Sequence, residues 1–169
     1  MKFKDNLIIL KNKYNLFFKQ FEFKCCSGKN GITSKKIEGD QKTPKGVFTF
    51  GTIFYRKDKI TKIKTKLKKI VIKRNMGWCD EPNSKDYNKR IRLPCNSSAE
   101  KLWLNKNIYN VIIVINYNLK PIIKNKGSAI FLHIATKNYQ ATKGCIAIKK
   151  KDMLYLAKHI DRKTKIIIN

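Results

Sequence analysis

Histidine, arginine and acidic side chains are scarce in this 169-residue chain: two His, five Arg and 11 Asp+Glu, beside 39 Lys+Arg in all. Each shortage excludes something. Two histidines, twelve residues before and fourteen after Cys145, fall short of the three or more converging ligands a hydrolytic metal centre needs. The five cysteines (Cys25, Cys26, Cys79, Cys95, Cys145) lack Cys-x-x-Cys spacing, so neither a structural metal nor any cofactor is expected. Adjacent Cys25 and Cys26 are poorly placed to bridge each other, which leaves Cys79 with Cys95 as the one conceivable disulfide and at least one thiol free. Apolar runs such as Val111–Ile115 are far below the 18 or so residues of a membrane span, so no transmembrane segment is expected. The apolar stretch 7–10 near the N-terminus is too short for the core of a signal peptide, and no export segment is readable.

What is abundant is lysine. Lys, Ile and Asn fill 74 of the 169 positions, the bias an AT-rich coding sequence imposes, and the formal net charge is +28. Base and phosphate recognition favours the planar guanidinium, so a lysine excess with five Arg reads as solvated surface and no specific nucleic-acid partner is expected. A surface of this charge still attracts anionic polymers in general, and a non-catalytic polycationic module is the competing reading from another class. With 42% apolar residues, 1–169 is long enough for one domain with its own core, expected as a monomer.

Period-two alternation at Leu16, Phe18, Phe21 and Phe23 predicts one half-buried strand, with 6–10 as its hairpin partner and 47–55 as a further strand. Residues 28–46, rich in Gly, Ser, Lys and Thr, read as a loop. Segment 60–72 is mixed, because Ile60, Ile63, Leu67 and Ile70 fit a helical stripe while Ile70-Val71-Ile72 is β-branched. Segment 75–98 reads as irregular. Val111–Ile115 predicts a central strand buried on both faces, followed by strands at 128–134, 145–148 and 166–168. Only 152–160 is an evident helix, with Asp152 placed to cap its first turn. The fold class is mainly β, with one late helix.

His133 ends one apolar strand, and Cys145 heads another directly behind Gly144. If those strands are neighbours, an imidazole lies beside a thiol and takes its proton, since thiolate is the nucleophile. Gly144, lacking Cβ, allows a carbonyl to approach backbone N–H groups that stabilise an oxyanion. From spacing alone, Cys145 reads more readily as a small buried hydrophobe and His133 as a satisfied core histidine. His159 sits near the helix C-terminus, where a cation is mildly favoured, and is expected to take no part. Glu38 and Asp40 look like a carboxylate pair, but their Gly-containing loop suggests turn roles.

The run Gly127-Ser128-Ala129-Ile130-Phe131-Leu132-His133-Ile134-Ala135, then Tyr139, then Thr142-Lys143-Gly144-Cys145, resembles the active-site block of the L,D-transpeptidase (YkuD-type) catalytic domain, in the branch with Thr-x-Gly-Cys in place of Ser-His-Gly-Cys. Lys36, Glu38-Gly39-Asp40, Thr43-Pro44, Gly46, Gly77-Trp78-Cys79-Asp80-Glu81-Pro82, Tyr87-Asn88, Ser98-Ala99-Glu100, Trp103 and Tyr109 follow the same order, so the resemblance covers about 28–168. It implies a β-sandwich-like catalytic domain. Cys145 would attack the amide between an L- and a D-centred residue of a peptidoglycan stem peptide, His133 would be base and then acid, and Gly144 and Cys145 would form the oxyanion hole. An amine of a second stem peptide would resolve the thioester into a 3-3 type cross-link; hydrolysis would make the protein an L,D-carboxypeptidase instead.

The resemblance also implies substrate contacts at Thr142, Lys143 and Tyr139, and a periplasmic or cell-envelope location. Trp78, with Tyr87 and Trp103, is a further candidate for lining the groove, although aromatics in such numbers are more often core. Two departures bear on anchoring. Lys143 stands where many relatives have a second histidine, and Ala147 where many have an arginine that holds the substrate carboxylate.

Overall fold

The computed structural model describes residues 6–169. Strands β1 (Leu7–Leu10), β2 (Asn15–Phe18) and β3 (Phe21–Cys26) form an antiparallel meander. Short β4 (Ile32–Thr33) and β5 (Thr43–Pro44) pair in parallel inside the 28–46 loop, and β6 (Gly46–Tyr55) and β7 (Lys69–Val71) follow. An excursion carries β8 (Met76–Cys79), β9 (Arg90–Arg92) and β10 (Ala99–Lys101) as a separate three-stranded sheet ordered β10-β8-β9. A 3₁₀ turn at Asn107–Tyr109 leads into β11 (Val111–Ile115), then β12 (Phe131–Ile134), β13 (Ile146–Ile148), helix α1 (Lys150–His159) and β14 (Lys165–Ile168).

The principal sheet runs β11-β12-β13-β3-β2-β1-β14-β6-β7, and β6 also pairs with β11, so it closes on itself. The ten-residue β6 makes that closure: its first four residues face β14, and residues from Phe50 onward face β11, where the register shifts between Ile113 and Ile115. The class is the mainly β, sandwich-like one with a single helix, and all five residues of β11 are buried as their apolar run requires.

Alternation sorts the side chains onto two faces. Ile113 of β11, Leu132 and Ile134 of β12, and Ile146 and Ile148 of β13 join Met153, Leu156 and Ala157 of α1 in the larger core. The intervening residues Ile112, Val114, Phe131 and Cys145 lie on the other face, in a smaller cluster covered by Trp78, Leu102 and Tyr109.

Several boundaries differ from the expectation. The alternating 16–23 stretch is two strands: Phe18 pairs with Phe21 across a turn at Lys19-Gln20, with Lys19 at φ 54°, and a hairpin whose arms share one alternation reads in sequence as one strand. Segment 60–72 holds no helix. Ile60, Ile63 and Leu67 are buried along irregular chain, Thr65 Oγ1 accepts the Leu67 N–H at 3.1 Å, and β7 docks in parallel on β6. The 75–98 segment contains β8 and β9. The strand expected from 128 starts at Phe131, and Ala129 adopts φ 50°. Helix α1 begins two residues early, behind Lys149, which makes no side-chain cap; Asp152 lies in its first turn. All five cysteines are free, Cys79 and Cys95 included.

Leu132 is fully buried and pairs with Ile146 at the start of the β12–β13 ladder. Leu132→Ala is expected to cost about 2–5 kcal/mol, read as a lower urea midpoint at unchanged slope.

Candidate active site

β12 and β13 run parallel with Leu132 opposite Ile146, His133 opposite Ala147 and Ile134 opposite Ile148. Side chains two apart share a face, so Cys145, two before Ala147, stands on the face that carries His133, one diagonal step away. Both border a cavity of about 580 Å³ that Thr142, Lys143 and Ala147 also line.

The nucleophile's turn is tightly specified. Gly144 has φ +134°, and a Cβ there would lie 2.8 Å from the Lys42 carbonyl oxygen. Thr142 Oγ1 accepts the Gly144 N–H at 3.1 Å and donates to the Cys145 carbonyl, so its hydroxyl is spent on shaping the turn. Thr142 in turn bridges to Gly28, itself pressed against residues 41–43 with no room for a Cβ. The 28–46 loop thus clamps the Thr-x-Gly-Cys segment against β3.

His133 is buried, and its Nδ1 lies 2.9 Å from the Ile134 carbonyl. A carbonyl only accepts, so Nδ1 carries the proton and Nε2 is left as a base. Burial holds the imidazole neutral, down to about 4, against the weaker opposing effect of that carbonyl. The Cys145 thiol donates to the Ala129 carbonyl at 3.1 Å and accepts the Phe131 N–H at 3.4 Å. Burial pushes it well above the usual thiol range and the Glu100 carboxylate adds to this, while the Phe131 N–H and Lys36 oppose. The resting pair is therefore neutral thiol and neutral imidazole. Cys25 and Cys26 are also raised, to about 12 and about 11, chiefly by burial. What separates Cys145 from them is the cavity it shares with His133.

Other predicted residues fall in different places. Lys143 is exposed at the cavity and its charge acts on Glu100; the cation acting on Cys145 is buried Lys36, held by Asp40 at 2.6 Å. Tyr139 lines an adjoining pocket beside Lys149 rather than the Cys145 cavity, with Lys24 Nζ 4.9 Å from its ring centre. Trp78 does not line the cavity: it is buried, packs edge-on against Phe54 and Phe131, and donates its indole N–H to Asn88 Oδ1 at 2.9 Å, its bulk being better satisfied in the core. His159 faces the Tyr155 carbonyl within its own helix. Asp40 takes the turn role expected of it, accepting the Ile37 and Lys42 N–H groups. Glu38 does the same, accepting the Gly39 N–H at 3.2 Å, and in addition borders the cavity and accepts the Tyr87 hydroxyl.

The sequence reading passed over Glu100, Asp80 and Ser128 as site residues, and all three border the cavity. Glu100 accepts the hydroxyl of Tyr109, whose ring stands edge-on to His133 with centres 5.3 Å apart. The signal available was scarcity, since carboxylates are rare in this chain and these lie in blocks quoted for the resemblance.

A mainly β domain with one cysteine and one histidine facing a common cavity is the class these observations define. The family model of the L,D-transpeptidase catalytic domain (YkuD) matches residues 7–168, and the chain belongs to that family. The match begins before residue 28, so β1 to β3 are part of the family domain. No curated protein matches the chain. Among solved structures, that of Bdellovibrio bacteriovorus Bd1075 is similar in fold, with a TM-score of 0.51 at 16% identity over 99% of this chain and 48% of that one. The chain thus spans about half that protein's length. Among the described residues no helix is long and apolar enough to cross a membrane.

His133 is neutral when folded to about pH 4, against an ordinary value of 6.5, so the unfolded chain binds the extra proton between those pH values. Stability from this residue is intact above pH 6.5 and lost as pH falls; by pH 4 the loss is about 3 kcal/mol. Urea unfolding of wild type and His133→Gln at pH 7 and pH 4 should show that increment in wild type only.

Proposed function

We propose that the chain is a cysteine acyltransferase acting on peptidoglycan stem peptides. The observation that carries the reading is the His133 ring, fixed by the Ile134 carbonyl so that Nε2 is the base, on the face and cavity of Cys145. Cys145 Sγ attacks the carbonyl carbon of the amide between the L- and D-centred residues, and its proton passes to His133 Nε2. The C–N bond breaks, His133 gives the proton to the leaving D-residue's amine, and a thioester remains. A second stem peptide's side-chain amine attacks that thioester, the C–S bond breaks and Sγ is reprotonated through His133; water in place of the amine gives carboxypeptidase action.

The neutral resting pair makes His133 a true general base, since no preformed thiolate is available. The oxyanion falls to the Cys145 N–H, because the Gly144 N–H is engaged by Thr142 Oγ1. At the position of the family's arginine, small buried Ala147 pairs with His133, so the cations bordering the cavity are exposed Lys106 and Lys143. The substrate places the protein in the cell envelope.

Intact-mass analysis after incubation with disaccharide tetrapeptide or a carbapenem is the test. Wild type should acylate and Cys145→Ala should not; an adduct on the variant would refute the assignment. His133→Ala should slow acylation at least about a hundredfold, and His159→Ala should leave the rate within about twofold in burst measurements.

A further inference from the structure

Carboxylates are scarce in this chain, 11 against 39 Lys+Arg, yet Glu38, Asp80 and Glu100 all border the one cavity that holds Cys145 and His133. They arrive from different elements: Glu38 from the 28–46 loop, Asp80 from the end of β8 and Glu100 from β10, where it pairs with Trp78. Among the described residues the ion pairs join Lys36 to Asp40, Arg56 to Asp58 and Lys149 to Asp152, and none includes these three. Lys106 and Lys143, the lysines at this cavity, are both exposed.

Two polar atoms at the cavity's border are buried without a hydrogen-bond partner: Asp80 Oδ1 and the hydroxyl oxygen of Ser128, a residue 7% exposed. Leaving such acceptors unmet is unfavourable unless a ligand meets them. The carboxylates do not form a metal-ligand cluster. Glu100 also works against the chemistry next to it, because its negative charge disfavours the Cys145 thiolate. A cation bound at the carboxylates would remove that opposition and satisfy the unmet acceptors together.

We propose that Glu38, Asp80, Glu100 and Ser128 form a subsite for the ammonium group of the acceptor, the primary amine that resolves the Cys145 thioester. This rests on the acyl-enzyme reading above and adds to it a preference for amine over water. An ammonium brings three N–H donors, which suit the Asp80 and Glu100 carboxylates and the Ser128 hydroxyl, while Glu38, already accepting from Tyr87, adds negative charge at the border. To attack, it gives one proton to the Glu100 carboxylate. The freed amine nitrogen forms the new C–N bond as the C–S bond breaks, its second proton reaches Sγ through His133, and the third stays on the product amide. Glu100, enclosed and with its carboxyl raised by burial, suits receipt of that first proton, which then leaves to solvent.

The experiment supplies disaccharide tetrapeptide as both donor and acceptor and reads by mass the ratio of cross-linked dimer to hydrolysed tripeptide, alongside released D-residue. Wild type should form dimer, and Glu100→Gln and Asp80→Asn should each lower the dimer-to-tripeptide ratio at least about tenfold. Because the ratio reads partition of one acyl-enzyme, it is independent of how much folded protein a variant yields, and either variant suffices. Wild type that yields tripeptide alone, or variants with an unchanged ratio, would overturn the subsite and leave the acyl-enzyme standing. Slower D-residue release at an unchanged ratio would put the ammonium on the donor and likewise overturn it. Absence of any D-residue release from wild type would overturn the acyltransferase reading itself.

Discussion

The in-register parallel pairing of β12 with β13 is the constraint on which the rest depends. It sets Leu132 against Ile146 and Ile134 against Ile148 on the face that α1 covers, where each buried aliphatic side chain contributes about 1.5–3 kcal/mol. Because the side-chain period is two, the same register puts His133 and Cys145 on the opposite face. A slip of one residue would exchange the two sets, burying the imidazole among aliphatics and turning Leu132 and Ile146 into the cavity. Core and site are therefore specified by a single register, and α1, which follows β13 almost without a linker, locks it.

Electrostatics within that frame favour neutrality. Burial keeps a proton on Cys145 and off Nε2 of His133, so charge separates only as reaction proceeds. The excursion that carries β8 to β10 supplies Asp80 and Glu100 to the cavity and packs Trp78 beneath it, linking the small sheet to the site as well as to the core. The great excess of lysine stays almost wholly at the surface; Lys36, tied to Asp40, is the buried one among the described residues.

Much of this was legible in the residues, where local pattern carries the information. The β-branched run Val111–Ile115 declares a strand buried on both faces, and the helix declares itself by the spacing of Met153, Leu156, Ala157 and Ile160. His133 and Gly144-Cys145 stand at strand ends where chemistry is commonly placed, and the structure brings their side chains to one cavity. The rest depends on contacts distant in sequence. Alternation cannot distinguish one long strand from a hairpin folded at Lys19-Gln20, and the apolar spacing of Ile60, Ile63 and Leu67 imitates a helix although the segment follows β6 as irregular chain. Trp78 is bulky enough for a groove, and only the packing of Phe54 and Phe131 around it shows its place in the core. Glu100 gains its position from β10, whose three residues carry no pattern of their own.

The central claim is that the fold holds Cys145 and His133 as a neutral pair with Nε2 as the base. Nuclear magnetic resonance of the imidazole nitrogens in the resting protein measures this directly. The account predicts an Nδ1–H tautomer for His133 that persists from pH 8 to pH 5 and titrates only near about 4. A His133 ring that carries both protons at pH 7, signalling a preformed thiolate–imidazolium pair, would contradict it.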